Sequence, residues 1–283
     1  MIDLHMHSTF SDGTMTPECL VAEAREIGLE AIALTDHDNT AGIDQLLAAC
    51  NGGNGGNDVL GIPGVEISAE TNDGILHLLG YFLDHTSVAL GEALHRVRTG
   101  RQARNQAILK KLNDLGISLE WEDVARHAGS DVVGRPHFAA ELVEKGKVKS
   151  RREAFDRFLA KGQPAYADRF RFAPEEGISV ITNSGGVAVL AHPSTLTLEK
   201  RALRDFVASL RDMGLGGIET YYPGHNNGKI AAYEKLAKEL DLVTTGGSDY
   251  HGAASPHIAM GRGFGSLKIP FRIVDELRSR CSR

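Results

Sequence analysis

The sequence predicts an α/β barrel of seven strands, interrupted by a long helical insertion. Three observations predict it. Short apolar runs recur, and a histidine or carboxylate stands at or near the end of most of them. Several of these runs alternate with helical patterns, as expected of parallel strands wrapped by helices. Between about residues 87 and 184 that strand-to-ligand pattern stops and only helical periodicity remains. In (β/α) barrels the active site lies where the C-terminal strand ends meet.

The elements follow in order. A first strand near 2–5 carries His5 and leads to His7. Thr16-Pro17-Glu18 opens a helix, with Thr16 as N-cap and Pro17 at the first position. It runs through Leu20, Ala24 and Ile27 and stops at Gly28. A second strand near 31–35 completes a βαβ unit and runs into Asp36-His37-Asp38. A helix near 41–50 ends in the Gly/Asn tract 51–57, which has no side chains to pack and reads as a mobile loop. The tract lacks a Lys-Ser/Thr ending and follows a helix, so it does not read as a phosphate loop.

Strands near 62–67 and 75–82 carry Glu66 and His77, and Thr71-Asn72-Asp73-Gly74 between them reads as a turn rather than a helix. Residues 88–114 form a long amphipathic helix with Leu90, Leu94, Val97, Ile108, Leu109 and Leu112 on its apolar face. Further helices are expected near 120–127, 136–145 and 151–160. Strands resume near 187–191, 217–220 and 242–246, joined by helices near 199–213 and 228–240. The barrel is thus expected from 1–86 and 185–283, with 87–184 as the insertion.

Composition bounds the function classes. The 283 residues are 42% hydrophobic and 24% charged, ordinary values for a globular protein. A net charge of −6 argues against dominant non-specific binding to nucleic acid, although a local basic groove stays open. Cys19, Cys50 and Cys281 are scattered, with no CxxC spacing, so neither a disulfide framework nor a thiolate zinc site is indicated. The chain enters a strand at once, without a basic n-region or an apolar h-region, and no run reaches about 20 apolar residues. The expected compartment is the cytoplasm, with no membrane partner.

Residues two apart on a strand share a face, so His5 and His7 can aim both imidazoles at one point. Imidazoles and carboxylates together suit Zn, Mn or Fe. A single histidine beside an apolar run is more often a hydrogen-bonded core or surface residue. Asp36, Asp38, His85, His95, His127 and His257 are left in that class. The recurring pattern differs, because several strand-end histidines without a metal would cluster buried polar groups that need partners. In the insertion, Gly134-Arg135-Pro136-His137 places Arg135 and His137 at a helix start, where a guanidinium and oriented N–H groups suit phosphate. Lys161 and Tyr166 follow before a loop. Helix capping and solvated charge are the alternative for these four residues. His225, after the sixth strand, reads equally as a substrate contact, a proton donor to the leaving oxygen, or a surface histidine.

His5-Met6-His7 with Ser11-Asp12-Gly13, Thr35-Asp36-His37-Asp38, Gly64-Val65-Glu66, His77, Ala191-His192-Pro193 and Ser248-Asp249-Tyr250-His251 resemble the motif series of the PHP (polymerase and histidinol phosphatase) superfamily. The resemblance covers both barrel segments, in order. It implies a distorted (β/α)7 barrel, two or three divalent metal ions and hydrolysis of phosphate esters. It implies that His5, His7, Glu66 and Asp249 hold a first metal, that Glu66 bridges to a second held by His77 and His192, and that Asp12, His37 and His251 hold a third. Some members have histidine where this chain has Asp12, and an oxygen ligand there favours Mn, with Fe or Zn as alternatives. A hydroxide bridging two cations would form at neutral pH and attack phosphorus in line, with no Ser or Cys nucleophile.

Within the superfamily the insertion resembles that of enzymes removing the 3′-phosphate of nucleoside 3′,5′-bisphosphates, some of whose relatives also trim short 5′-phosphorylated RNA. There the insertion covers the barrel mouth and holds substrate phosphate, which points to Arg135, His137, Lys161 and Tyr166 as substrate-binding. Histidinol-phosphate phosphatase, and a nucleic-acid-binding module of a larger assembly, are the alternatives.

Overall fold

The computed structural model describes residues 1–52, 58–128 and 132–281. The larger part of the Gly/Asn tract, 53–57, lies outside the described residues. The chain divides into two compact units, Met1–Leu94 with Phe172–Arg283, and His95–Arg171.

The first unit is built on one seven-stranded sheet in sequence order: β1 (Ile2–Met6), β2 (Ala31–Leu34), β3 (Leu60–Ala69), β4 (Leu76–Tyr81), β5 (Val187–Leu190), β6 (Gly217–Tyr221) and β7 (Val243–Gly246). β4 runs antiparallel to both neighbours, and every other pair is parallel. The reversal follows from the connection. Thr71 Oγ1 accepts from the Asp73 N–H at 3.0 Å in a tight turn, and so short a link permits only antiparallel pairing. Parallel neighbours are joined by helices α1 (Pro17–Ile27), α2 (Ile43–Asn51), α8 (Lys200–Asp212) and α9 (Asn227–Glu239), as the sequence predicts.

Alternation along β2 sorts its side chains between two cores. Ala31 and Ala33 join a cluster with Ile2, Leu4, Leu79, Val189 and Val243, whereas Ile32 and Leu34 pack with Leu20, Val21 and Leu46 of α1 and α2. Small residues on β2 leave room for Tyr81, fully buried, whose hydroxyl donates to the Leu4 carbonyl at 2.9 Å. The outer strands meet through a Met6–Tyr250 bridge and through Asp3. Asp3 accepts from the Ser248 N–H (2.8 Å), the Ser248 hydroxyl (2.5 Å) and the Gly261 N–H (2.7 Å). Its burial is compensated by these three donors, which pin the segment after β7 to the first strand and nearly close the barrel.

The second unit has its own core of Ile108, Leu112, Val133, Phe138, Leu142 and Leu159. It contains most of α3 (Val88–Asp114), then α4 (Trp121–Ala125), α5 (Arg135–Glu144), α6 (Arg151–Ala154) and a π-helical turn, Phe155–Leu159. It is shorter than the 87–184 segment read from the sequence. Residues Pro174–Asn183 form α7, which packs on β3, β4 and β5 in the first unit, burying Ile178 and Ile181. A C-terminal helix, α10 (Arg272–Ser279), was also not anticipated; its Ile273, Val274 and Leu277 complete the barrel core.

Gly247 lies against β1: a Cβ there would sit 2.2 Å from the Cβ of His5. Gly247→Ala is therefore expected to force β1 and the β7 segment apart and to cost about 1–3 kcal/mol, the usual range for overpacking. Denaturant unfolding measures it, and wild-type stability would show that the two segments separate freely.

Candidate metal centre

Nine side chains from six strands and their loops, Glu66 among them, converge on one point. β1 supplies His5 and His7 from one face. The β3–β4 register sets His77 opposite Ser68, diagonal to Glu66 and on the same face. His37 follows β2, His192 follows β5, and Asp249 and His251 follow β7, while Asp12 comes from the loop after β1.

The two oxygens of Glu66 divide the group. Oε2 lies 3.4 Å from His5 Nε2, 3.2 Å from His7 Nε2 and 2.9 Å from His37 Nδ1. Oε1 lies 2.8 Å from His77 Nδ1 and 2.9 Å from His192 Nε2. Asp249 Oδ1 is 3.4 Å from His5 Nε2 and 3.3 Å from His7 Nε2. Asp12 stands 3.2 Å from His251 Nε2 and 3.6 Å from His37 Nε2. The three sets drawn from the resemblance thus each come together, and His37 additionally faces Glu66.

Four buried atoms at the centre, His5 Nε2, His7 Nε2, His37 Nδ1 and Glu66 Oε2, have no hydrogen-bond partner among the described residues. Converging imidazole nitrogens and a carboxylate oxygen without an intervening donor fit divalent cations. The outer nitrogens are occupied instead. His7 Nδ1 faces the Ser11 hydroxyl at 3.3 Å, and that hydroxyl donates to Asp36 at 2.5 Å. His192 Nδ1 faces Thr195 Oγ1 at 3.1 Å, and His251 Nδ1 donates to the Asp249 carbonyl at 2.8 Å. Such contacts fix the tautomer that leaves Nε2 open. Backbone strain accompanies the site, with φ of +23° at His192 and +54° at Asp249.

Electrostatics follow from packing histidines and acids together. Burial disfavours the charged form of His7, but Asp249, Glu66 and Asp12 outweigh it and push its pKa up to about 10. Burial lowers His77 to about 4, with His37 and His192 adding to the effect against the pull of Glu66. Burial opposes ionisation of Glu66, Asp12 and Asp249, yet the surrounding imidazoles hold all three well below the carboxylate range.

Sequence reasoning set Asp36 aside and missed Ser11 and Tyr222. Asp36 accepts from Ser8 N–H and hydroxyl as well as Ser11. The Tyr222 hydroxyl donates to Asp249 Oδ2 at 3.1 Å. The Ser-Asp-Gly motif and the strand-end position of Asp36 were signals, but hydrogen-bond direction has no sequence signature. His225 is buried rather than on the surface. Its Nδ1 donates to the Thr220 carbonyl at 2.9 Å, its Nε2 faces the Ser194 hydroxyl at 3.1 Å, and burial lowers its pKa. A neutral imidazole accepting at Nε2 is the reverse of a poised proton donor. His127, with Glu141 and Glu144, belongs to an ion-pair cluster shared with Arg126.

The second unit carries the other residues singled out. His137 Nδ1 accepts from the Gly134 N–H at 3.0 Å and so caps α5, the capping alternative in its case. The Arg135 guanidinium lies 5.5 Å from the Tyr166 ring centroid and 6.0 Å from that of Phe155, and donates to the Leu159 carbonyl at 3.3 Å. Lys161 is exposed. Arg104, buried, has its pKa lowered to about 9 by burial and then by Arg101, Arg135 and Arg171.

A histidine must be neutral to bind metal. With His7 charged below about pH 10 in the metal-free cluster, metal binding displaces its proton. Mn2+ affinity is therefore expected to rise between pH 6.5 and 8.5, by at most about tenfold per unit for each proton displaced. Calorimetry in buffers of different ionisation enthalpy checks the proton release, and a pH-independent affinity without release would remove His7 from the ligands.

The PHP domain model matches residues 3–167. The 5′-3′ exoribonuclease Rnm of Salmonella typhimurium is 35% identical over 260 residues, covering 92% of this chain and 88% of the relative. A 3′,5′-nucleoside bisphosphate phosphatase of Chromobacterium violaceum is 31% identical over 254 residues, covering 88% and 87%. The fold superposes on an inferred metal-dependent phosphoesterase of Bifidobacterium adolescentis with a TM-score of 0.79 and 28% identity, over 100% of this chain and 96% of the other. A match over more than half of the chain, with relatives aligned along most of their length, places the chain in the PHP domain family as a metal-dependent phosphoesterase.

Proposed function

We propose that the chain hydrolyses the 3′-phosphate of nucleoside 3′,5′-bisphosphates and also acts on short 5′-phosphorylated RNA. The observation that carries this reading is the crowding of Arg101, Arg104, Arg135 and Arg171 in the second unit, where a buried guanidinium already loses affinity for its proton. A phosphate dianion relieves that repulsion, and guanidinium groups match its oxygens in pairs. A substrate with a second phosphate uses such a group, whereas a simple monoester does not. The names of the two relatives, a bisphosphate phosphatase and an exoribonuclease, point to the same substrate class.

In this reading His5, His7, Glu66 and Asp249 would hold one ion, Glu66, His77 and His192 a second, and Asp12, His37 and His251 a third. Mn is the preferred metal, with Fe or Zn as alternatives. When bound, the ions supply activated water at neutral pH and neutralise charge on the phosphoryl oxygens. The protein holds nine ligand side chains in place and keeps Glu66 ionised between them. Tyr222, whose pKa burial and Asp249 raise, stays protonated and steadies Asp249. Arg135, with Tyr166 beside it, orients the distal phosphate, and Lys161 completes the anion-binding group. His225 stays neutral and anchors Ser194.

Glu66→Gln is expected to abolish turnover with the fold intact, because a neutral amide bridges cations poorly. Full activity at full metal load would show that Glu66 is not shared. Arg135→Ala should lower kcat/KM for adenosine 3′,5′-bisphosphate by roughly 10- to 150-fold, the loss of about 1.5–3 kcal/mol for a charged hydrogen bond, with little effect on a mononucleotide. Arg135→Lys should rescue it in part. Equal losses on both substrates would remove Arg135 from distal-phosphate recognition. Wild-type preference for histidinol phosphate, or salt-dependent binding of long RNA or DNA without turnover, would replace the nucleotide reading.

A further inference from the structure

We infer that Glu219 is a positioning residue that couples two metal-binding histidines across the barrel, setting the tautomer of His5 and the backbone of His192 with one carboxylate. Glu219 lies on β6, the one strand of the barrel that contributes none of the nine converging side chains, and it is fully buried. Its Oε1 is 2.9 Å from His5 Nδ1, and its Oε2 accepts from the His192 N–H at 2.6 Å.

A carboxylate only accepts, so His5 Nδ1 must carry the proton. The His5 Nε2 lone pair is then left facing Glu66 Oε2 and Asp249 Oδ1, each at 3.4 Å. The same carboxylate secures His192 where it is strained. His192 has φ of +23°, a conformation that a side chain rarely adopts and that persists only when surrounding contacts hold it. Its N–H is fixed by Glu219, and its Nε2 stands 2.9 Å from Glu66 Oε1. Glu219 thereby reaches both oxygens of Glu66 through two different histidines. It is a shared support for the sets that contain His5 and His192.

Glutamine at this position offers one acceptor and one donor. Whichever way its amide turns, its NH2 faces either the His192 N–H or His5 Nδ1. In the second case the His5 proton moves to Nε2, the position a metal needs. Loss of such an outer contact typically weakens metal binding by about 10- to 100-fold.

The inference rests on the metal-centre reading, and the experiment separates the two. Mn2+ is titrated into chelator-stripped wild type and Glu219→Gln, both with wild-type circular dichroism. The expected result is a 10- to 100-fold weaker affinity in the variant. Affinities within twofold overturn the role of Glu219, whereas no Mn2+ binding by wild type overturns the metal centre and this inference with it. If the variant does not fold, 15N–1H correlation spectra of Zn2+-loaded wild type, with His5 assigned through His5→Gln, decide the matter. A proton on His5 Nδ1 supports the assignment, and a proton on Nε2 overturns it.

Discussion

A carboxylate withdrawn from water is costly unless donors or cations surround it, and Glu66 is withdrawn almost completely. Its two oxygens are met by five imidazoles from β1, the β2 loop, β4 and the β5 loop. Each of these segments must arrive at one point, so the strand order and register of the barrel are tied to this one side chain. Unpartnered nitrogens left around it are a standing electrostatic demand for cations, and the low pKa of its carboxyl group is the same demand seen from the other side.

Holding so many polar groups inside a barrel requires that their outer faces be satisfied. Ser11 and Asp36 do this for His7, Thr195 for His192, and the Asp249 carbonyl for His251. Asp3 does comparable work for the architecture, joining the first strand to the segment after the last. The positive φ values at His192 and Asp249 show where chain path has yielded to side-chain aim. Stability and metal binding are in tension here: the buried acids and histidines that make a cation site weaken the core that carries it.

The second unit meets a different constraint. Its core of aliphatic and aromatic residues is self-sufficient, and its chemistry lies in guanidinium groups crowded together. Like charges brought close are tolerated when an anion joins them.

Much of this was legible in the chain itself. Alternation put His5 and His7 on one face, the ends of apolar runs marked Glu66, His192 and Asp249, and residues 71–74 read as a turn rather than a helix, because these signals are local in sequence; β3 runs on past Glu66 to Ala69. α7 was read as insertion and α10 was not seen, since each is an ordinary amphipathic segment whose place is decided by the sheet it covers. The capping role of His137 and the burial of His225 likewise depend on neighbours brought from elsewhere in the chain. Residue types at strand ends thus determined which groups meet. Only the tertiary structure decided which nitrogen of each histidine faces inward, because that choice is made by acceptors such as Glu219, 214 residues from His5 in sequence.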